Sequence, residues 1–142
     1  MSSEYEECIQ KGKIKPFSRG RSLVSKEMET SLADLKSAEK TFADGNYKWA
    51  TIQVYYAMFH AARALLYSNN MRERSHYCLV VAIKELFVDK KLVPPSLLEA
   101  LKEAKSLRED ADYYDRWSQA GCSRLLVDAR ELLAIARKIV IP

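Results

Sequence analysis

The sequence is poor in the residues that interrupt regular structure, with only four glycines and four prolines in 142 residues. Long stretches therefore run without a turn signal, which argues against a many-stranded sandwich and in favour of helices. Cysteine is scarce too. Cys8, Cys78 and Cys122 are odd in number, widely spaced, and include no CxxC pair. The two histidines, His60 and His76, stand at no zinc-finger spacing to them. This pattern argues against a disulfide framework and against structural zinc. Cys78 and Cys122 read instead as small core hydrophobes within apolar helical patterns. No stretch reaches the roughly 20 apolar residues that span a bilayer. The opening residues, with Glu4, Glu6 and Glu7, are acidic where a signal peptide is basic and then apolar. A cytoplasmic, reduced protein with no membrane partner is the expectation. Gly-rich phosphate loops, GxSxG elbows and HExxH are all missing. The run Glu109-Asp110-Ala111-Asp112 reads as helix surface charge rather than as metal ligands, so neither a metal nor a cofactor is expected.

What is present is ordinary for one globular domain: 48% apolar and 30% charged residues. The net charge of +4 permits a polyanionic partner without demanding one. Its location is more informative. Within residues 1–21, Lys11, Lys13, Lys15, Arg19 and Arg21 follow the early acids with Gly12, Pro16 and Gly20 among them. A short helix near Tyr5–Ile9 followed by an extended basic arm is predicted, either solvated or phosphate-seeking. The domain proper is expected over 22–142.

Helical periodicity fills that domain. Met28, Leu32, Leu35, Ala38 and Phe42 make a stripe over about 23–43, closed by Asp44-Gly45-Asn46. The next segment, 47–67, carries apolar residues on several faces: Trp49, Ile52, Tyr56, Phe59 and Leu66 on one, Val54, Met58, Ala61 and Leu65 on another. Such a helix must be surrounded and should be central. Ser75 is placed to cap a third helix over 76–88, and Ser96 with Glu99 to form a capping box for a fourth reaching about 114. The last helix, to about 139, carries the seam Cys122, Leu125, Leu126, Ala129, Leu132, Leu133 and Ala136. The expected fold class is all-α, an up-down antiparallel bundle of about five helices with no strand.

Three segments stand out together: Tyr55-Tyr56-Ala57-Met58-Phe59-His60-Ala61-Ala62-Arg63-Ala64-Leu65-Leu66, Ser75-His76-Tyr77, and Leu107-Arg108-Glu109-Asp110-Ala111-Asp112-Tyr113. In order and spacing they resemble the HEPN superfamily, and within it the small prokaryotic proteins called UPF0332, over roughly 36–136. The resemblance implies a helical bundle, often a homodimer, that partners a minimal nucleotidyltransferase in toxin–antitoxin pairs. It also implies, for many members, metal-independent ribonuclease activity carried by an Arg followed, after four to six intervening residues, by a His. That motif is absent here: Arg72 and Arg74 lie too close before His76, and no Arg lies near enough before His60. The expectation leans away from an enzyme, towards an accessory module that binds nucleotide or RNA in a polar cleft. The rival expectations are an endoribonuclease that uses His76 and a purely structural interaction protein.

The candidate cleft residues are His76, Arg108, Asp112, Tyr113, Arg72 and Arg74. His76 opens a helix where free N–H groups favour anions, and the cations Arg72 and Arg74 should disfavour its protonated form. It serves either a ligand or only the tie between its loop and the 107–113 helix. Arg108 and Asp112, four residues apart, are either a solvated ion pair or part of a cleft in which Arg matches phosphate and Tyr stacks on a base. Tyr56 and Phe59 read as core. His60 and Arg63 are polar intrusions on an apolar helix; since an unpartnered buried charge is costly, they either reach its edge or are candidates for a subunit interface.

Overall fold

The computed structural model describes residues 1–141. It is an all-α bundle, as the periodicity requires, with one small β-ribbon. The helices are α1 (Ser3–Gln10), α2 (Gly20–Ala43), α3 (Tyr47–Ser68), α4 (His76–Ile83), α5 (Pro95–Tyr113) and α6 (Gln119–Val140). The strands β1 (Ile14–Pro16) and β2 (Met71–Glu73) pair antiparallel, with Ile14 opposite Glu73 and Pro16 opposite Met71.

Local chemistry sets the helix ends. The side chains of Asn46, Ser75 and Ser118 cap α3, α4 and α6 by accepting from backbone N–H groups three residues on. Gly45 takes the left-handed conformation, at φ +82°, that ends α2. The expected Ser96 cap is replaced. Pro95 holds the first position of α5, where its missing N–H costs nothing, and no side chain caps that end. After Ile83 the chain widens into one π turn, Lys84–Val88, closed by the Asp89 N–H donating to the Lys84 carbonyl at 2.8 Å.

Helix α3 is the hub, packing against α2, α4, α5, α6 and β2. Ala50, Ala57, Ala61, Ala62 and Ala64 are at most 1% exposed, and their small side chains let neighbouring backbones close in. The Ser31 hydroxyl donates to the Ala57 carbonyl at 2.7 Å across the α2–α3 contact. Gly20 at the start of α2 lies against Tyr67 near the end of α3, so the two helices run antiparallel. Val54, Met58, Leu65 and Leu66 are fully buried, each worth roughly 1.5–3 kcal/mol in apolar transfer. Two expected members of the stripe are outside: Trp49 is 50% and Tyr56 37% exposed.

Residues 1–21 differ from the extended arm read from the sequence. Tyr5, Cys8 and Ile14 are buried among the basic residues, and α1 and β1 fold against α4 and β2. The absence of a disulfide is also corrected. Cys8 of α1 and Cys78 of α4 are joined, with Cα atoms 5.8 Å apart. Cys122 is buried and free, as its place in the α6 seam suggests. Among the described residues no helix is long and apolar enough to cross a membrane.

Candidate functional site

The site forms where α3, α4 and α5 meet. Ser75, extended and just outside α4, accepts from the Cys78 N–H at 3.1 Å and so places His76 at the first helical position. The His76 ring lies 5.8 Å from the ring of Tyr55 on α3. Burial, followed by the nearby Lys105 ammonium, brings its pKa down from 6.5 to about 4, with Glu109 opposing. The imidazole is therefore neutral at neutral pH. Its Nε2 is buried and has no hydrogen-bond partner.

Helix α5 brings Arg108 to the same tyrosine. Its guanidinium carbon lies 5.7, 5.5 and 5.4 Å from the ring centroids of Tyr55, Tyr56 and Tyr113. One terminal nitrogen donates to the Tyr56 hydroxyl at 3.1 Å and pairs with Asp112 at 3.1 Å. The Nε is buried and without a partner. Burial pushes the Tyr55 phenol up to about 12, so it stays protonated. Lys105, one turn before Arg108, donates to Glu109 at 2.8 Å. Beside His76 opens a cavity of about 300 Å³, floored by Val80, Val81 and Leu98 and edged by Lys84, Lys102, Lys105 and Glu4. A larger groove of about 530 Å³ between α2 and α6 is lined mainly by Leu32, Leu35 and Leu133, with Arg130, Arg137 and Lys138 at its edge. It lies apart from these groups and holds none of the three buried atoms without a partner, His76 Nε2, Arg108 Nε and Gln53 Oε1.

Chemically, this is a cationic fork framed by aromatic faces, next to a neutral imidazole and a lysine-edged recess. Such a set suits an anion attached to a planar ring. Neutral His76 is an acceptor or a base as it stands, and no additional proton has to be removed first.

Of the residues expected from sequence, His76, Arg108, Asp112 and Tyr113 are brought together. Arg72 and Arg74 are not. Arg72 sits on β2 opposite Lys15 and over the Phe17 ring at 5.5 Å. The backbone N–H of Arg74 donates to the Lys13 carbonyl at 2.8 Å, and its side chain is exposed. The depressed His76 pKa has the expected direction, but its causes are burial and Lys105. His60 and Arg63 find partners within the chain. His60 Nδ1 is 2.6 Å from Glu27, and Nε2 is 4.0 Å from Asp34. Arg63 pairs with Glu73 at 2.7 Å and stacks over Phe59 at 4.4 Å. Glu27 and Asp34 of α2 and Glu73 of β2 thus supply polar partners to both side chains within the chain.

Sequence reasoning missed Tyr55, Tyr56 and Lys105. The available signal was geometric: adjacent helical residues point about 100° apart, so Tyr55 and Tyr56 cannot share one direction. Tyr55 faces inward at 7% exposure and Tyr56 outward.

Comparison with known proteins identifies the family. The HEPN domain family model matches residues 24–141, and the chain belongs to that family. Within it, a UPF0332 protein of Archaeoglobus fulgidus is 31% identical over 108 residues, covering 75% of this chain and 86% of that one. A Methanocaldococcus jannaschii protein named "Putative toxin MJ0142" is 26% identical over 90 residues. A second from that organism, "Putative toxin MJ0605", is 28% identical over 86 residues. The chain spans only 61% and 64% of the lengths of these two. The crystal structure of TT1696 from Thermus thermophilus superposes with a TM-score of 0.69 at 20% identity, covering 86% of this chain and 98% of that one. This last likeness concerns the fold.

Proposed function

We propose that the chain is a HEPN-type accessory module that binds nucleotide or RNA in the cleft of His76, Arg108, Asp112 and Tyr113. It acts in the cytoplasm as a homodimer, alongside a minimal nucleotidyltransferase, in the manner of a toxin–antitoxin pair. One observation carries the binding part. Two buried polar atoms, His76 Nε2 and Arg108 Nε, are left without partners, and both residues lie within 6 Å of the Tyr55 ring, at 5.8 and 5.7 Å. Unmet buried groups are costly, and a phosphate or base edge meets both needs. The toxin names of two relatives support the pairing.

Thermal shift with a panel of ribonucleotides tests the binding. A ligand that favours the native state stabilises it by about 2.7 kcal/mol at a hundred times its Kd. The wild type should shift and Arg108→Ala should not. A panel that leaves the wild type unmoved contradicts the reading. Sedimentation tests the dimer, and co-purification with a minimal nucleotidyltransferase tests the partner.

A second reading is favoured by the neutral His76 and Arg108 sharing one ring although they are far apart in sequence. It is an endoribonuclease in which His76 removes a proton and Arg108 steadies the phosphate. Structured RNA cleaved by the wild type and spared by His76→Ala would support it.

A further inference from the structure

Cys8 and Cys78 join two elements that otherwise hold each other weakly. Helix α1 is eight residues long and buries only Tyr5 and Cys8, too little to persist without docking. Besides the disulfide, it is held by the Ser2 N–H donating to Glu85 at 2.8 Å and by the Tyr5 hydroxyl against Met71 sulfur at 3.6 Å. Its Glu4 stands at the edge of the His76 cavity. The docked α1 thus covers part of the turn that carries His76.

The sulfur environment is suited to exchange. Cys78 is the third residue of α4, its N–H bound to the Ser75 cap. A thiolate released there is stabilised by the helix N-terminus, which makes it a good leaving group. Both cysteines line a cavity of about 260 Å³ shared with Lys11, Lys13, Ser75 and Tyr77. The two residues are only 3% and 4% exposed, which disfavours the thiol of a folded protein, and the cavity they line is the approach left to a small one.

We propose that Cys8–Cys78 is a thiol–disulfide exchange site for a low-molecular-weight thiol, and that exchange there releases α1 from the first turn of α4. A small thiolate attacks Cys8 Sγ. The Cys8–Cys78 bond breaks, Cys78 leaves as thiolate, and a mixed disulfide remains on Cys8. A second thiolate attacks the small-molecule sulfur of that mixed disulfide, which frees Cys8. The two incoming thiols supply the two protons and end as their own disulfide, while the protein disulfide becomes a dithiol.

The test incubates the folded, full-length chain with glutathione at a series of redox ratios, quenches with acid, and locates adducts by mass spectrometry. Buried Cys122 serves as the unreactive internal control. The mixed disulfide should sit on Cys8. Reduced protein should show a roughly tenfold or greater rise in amide deuterium exchange over 3–10 and the first turn of α4, with α3 unchanged. Cys78→Ser should retain glutathione on Cys8; if that variant does not fold, the wild-type measurements decide alone. A disulfide that survives glutathione until denaturant is added overturns the proposal. So does an adduct on Cys78, or reduction with no change in α1 exchange. None of these readouts involves nucleotide, so they stand or fall separately from the binding function.

Discussion

The partly buried imidazole of His76 should make stability fall as pH falls through a defined window. Its ordinary pKa of 6.5 drops to about 4 in the folded chain. Above pH 6.5 the ring is neutral in both states and adds no pH dependence. Between 6.5 and about 4 the unfolded chain takes up a proton that the folded chain refuses, so folding weakens as pH falls. Below about 4 both forms are protonated and the loss is complete. At 1.36 kcal/mol per pH unit the ceiling is roughly 3 kcal/mol. His76 is only partly buried, and screening by water reduces that to roughly 1–2 kcal/mol. For a domain of this size that is a fall of about 5 °C in Tm. The assay is urea unfolding from pH 7.5 to 4 for wild type and His76→Asn. Other titrating groups affect both chains alike, so the difference between the two curves isolates His76. Parallel curves would refute the reasoning.

Other perturbations have equally direct readouts. Arg63→Ala leaves Glu73, whose side chain is 5% exposed, without its partner, and should cost roughly 3 kcal/mol in denaturant unfolding; adding Glu73→Gln should restore part of the loss. At Gly20 a Cβ would meet the Tyr67 carbonyl oxygen at 2.5 Å, so Gly20→Ala should lower stability by about 1–3 kcal/mol in the same assay. Gly45→Ala faces open space and only a backbone penalty at φ +82°, about 1–2 kcal/mol. Leu65→Ala, fully buried in the last turn of α3, should cost about 2–5 kcal/mol by calorimetry or urea.

The long helices were legible because each carries a stripe of period 3.6 between recognisable ends. Asn46 and the Ser68-Asn69-Asn70 break bound α3 within a residue of expectation. The ribbon was hidden because three residues per strand are too few for alternation to register. The pairing of Cys8 with Cys78, 70 residues apart, leaves no trace in spacing. The π turn at 84–88 adds width without altering the apolar pattern, since Phe87 is buried either way. In the site, His76, Arg108 and Tyr113 could be picked out because they fall in distinctive strings. Tyr55 and Tyr56 could not be separated by type. One closes the site from within and the other from solvent, and only the rotation of α3 in the bundle decides which.

The proposed function requires an anion to reach His76 and Arg108, the two groups gathered around the Tyr55 ring. Proton NMR of the His76 ring, titrated with and without a nucleoside triphosphate, tests that most directly. Free protein should titrate near 4, and bound phosphate should raise that value by favouring the imidazolium. A His76 pKa that stays the same at saturating nucleotide, or one near 6.5 in the free protein, would contradict the account.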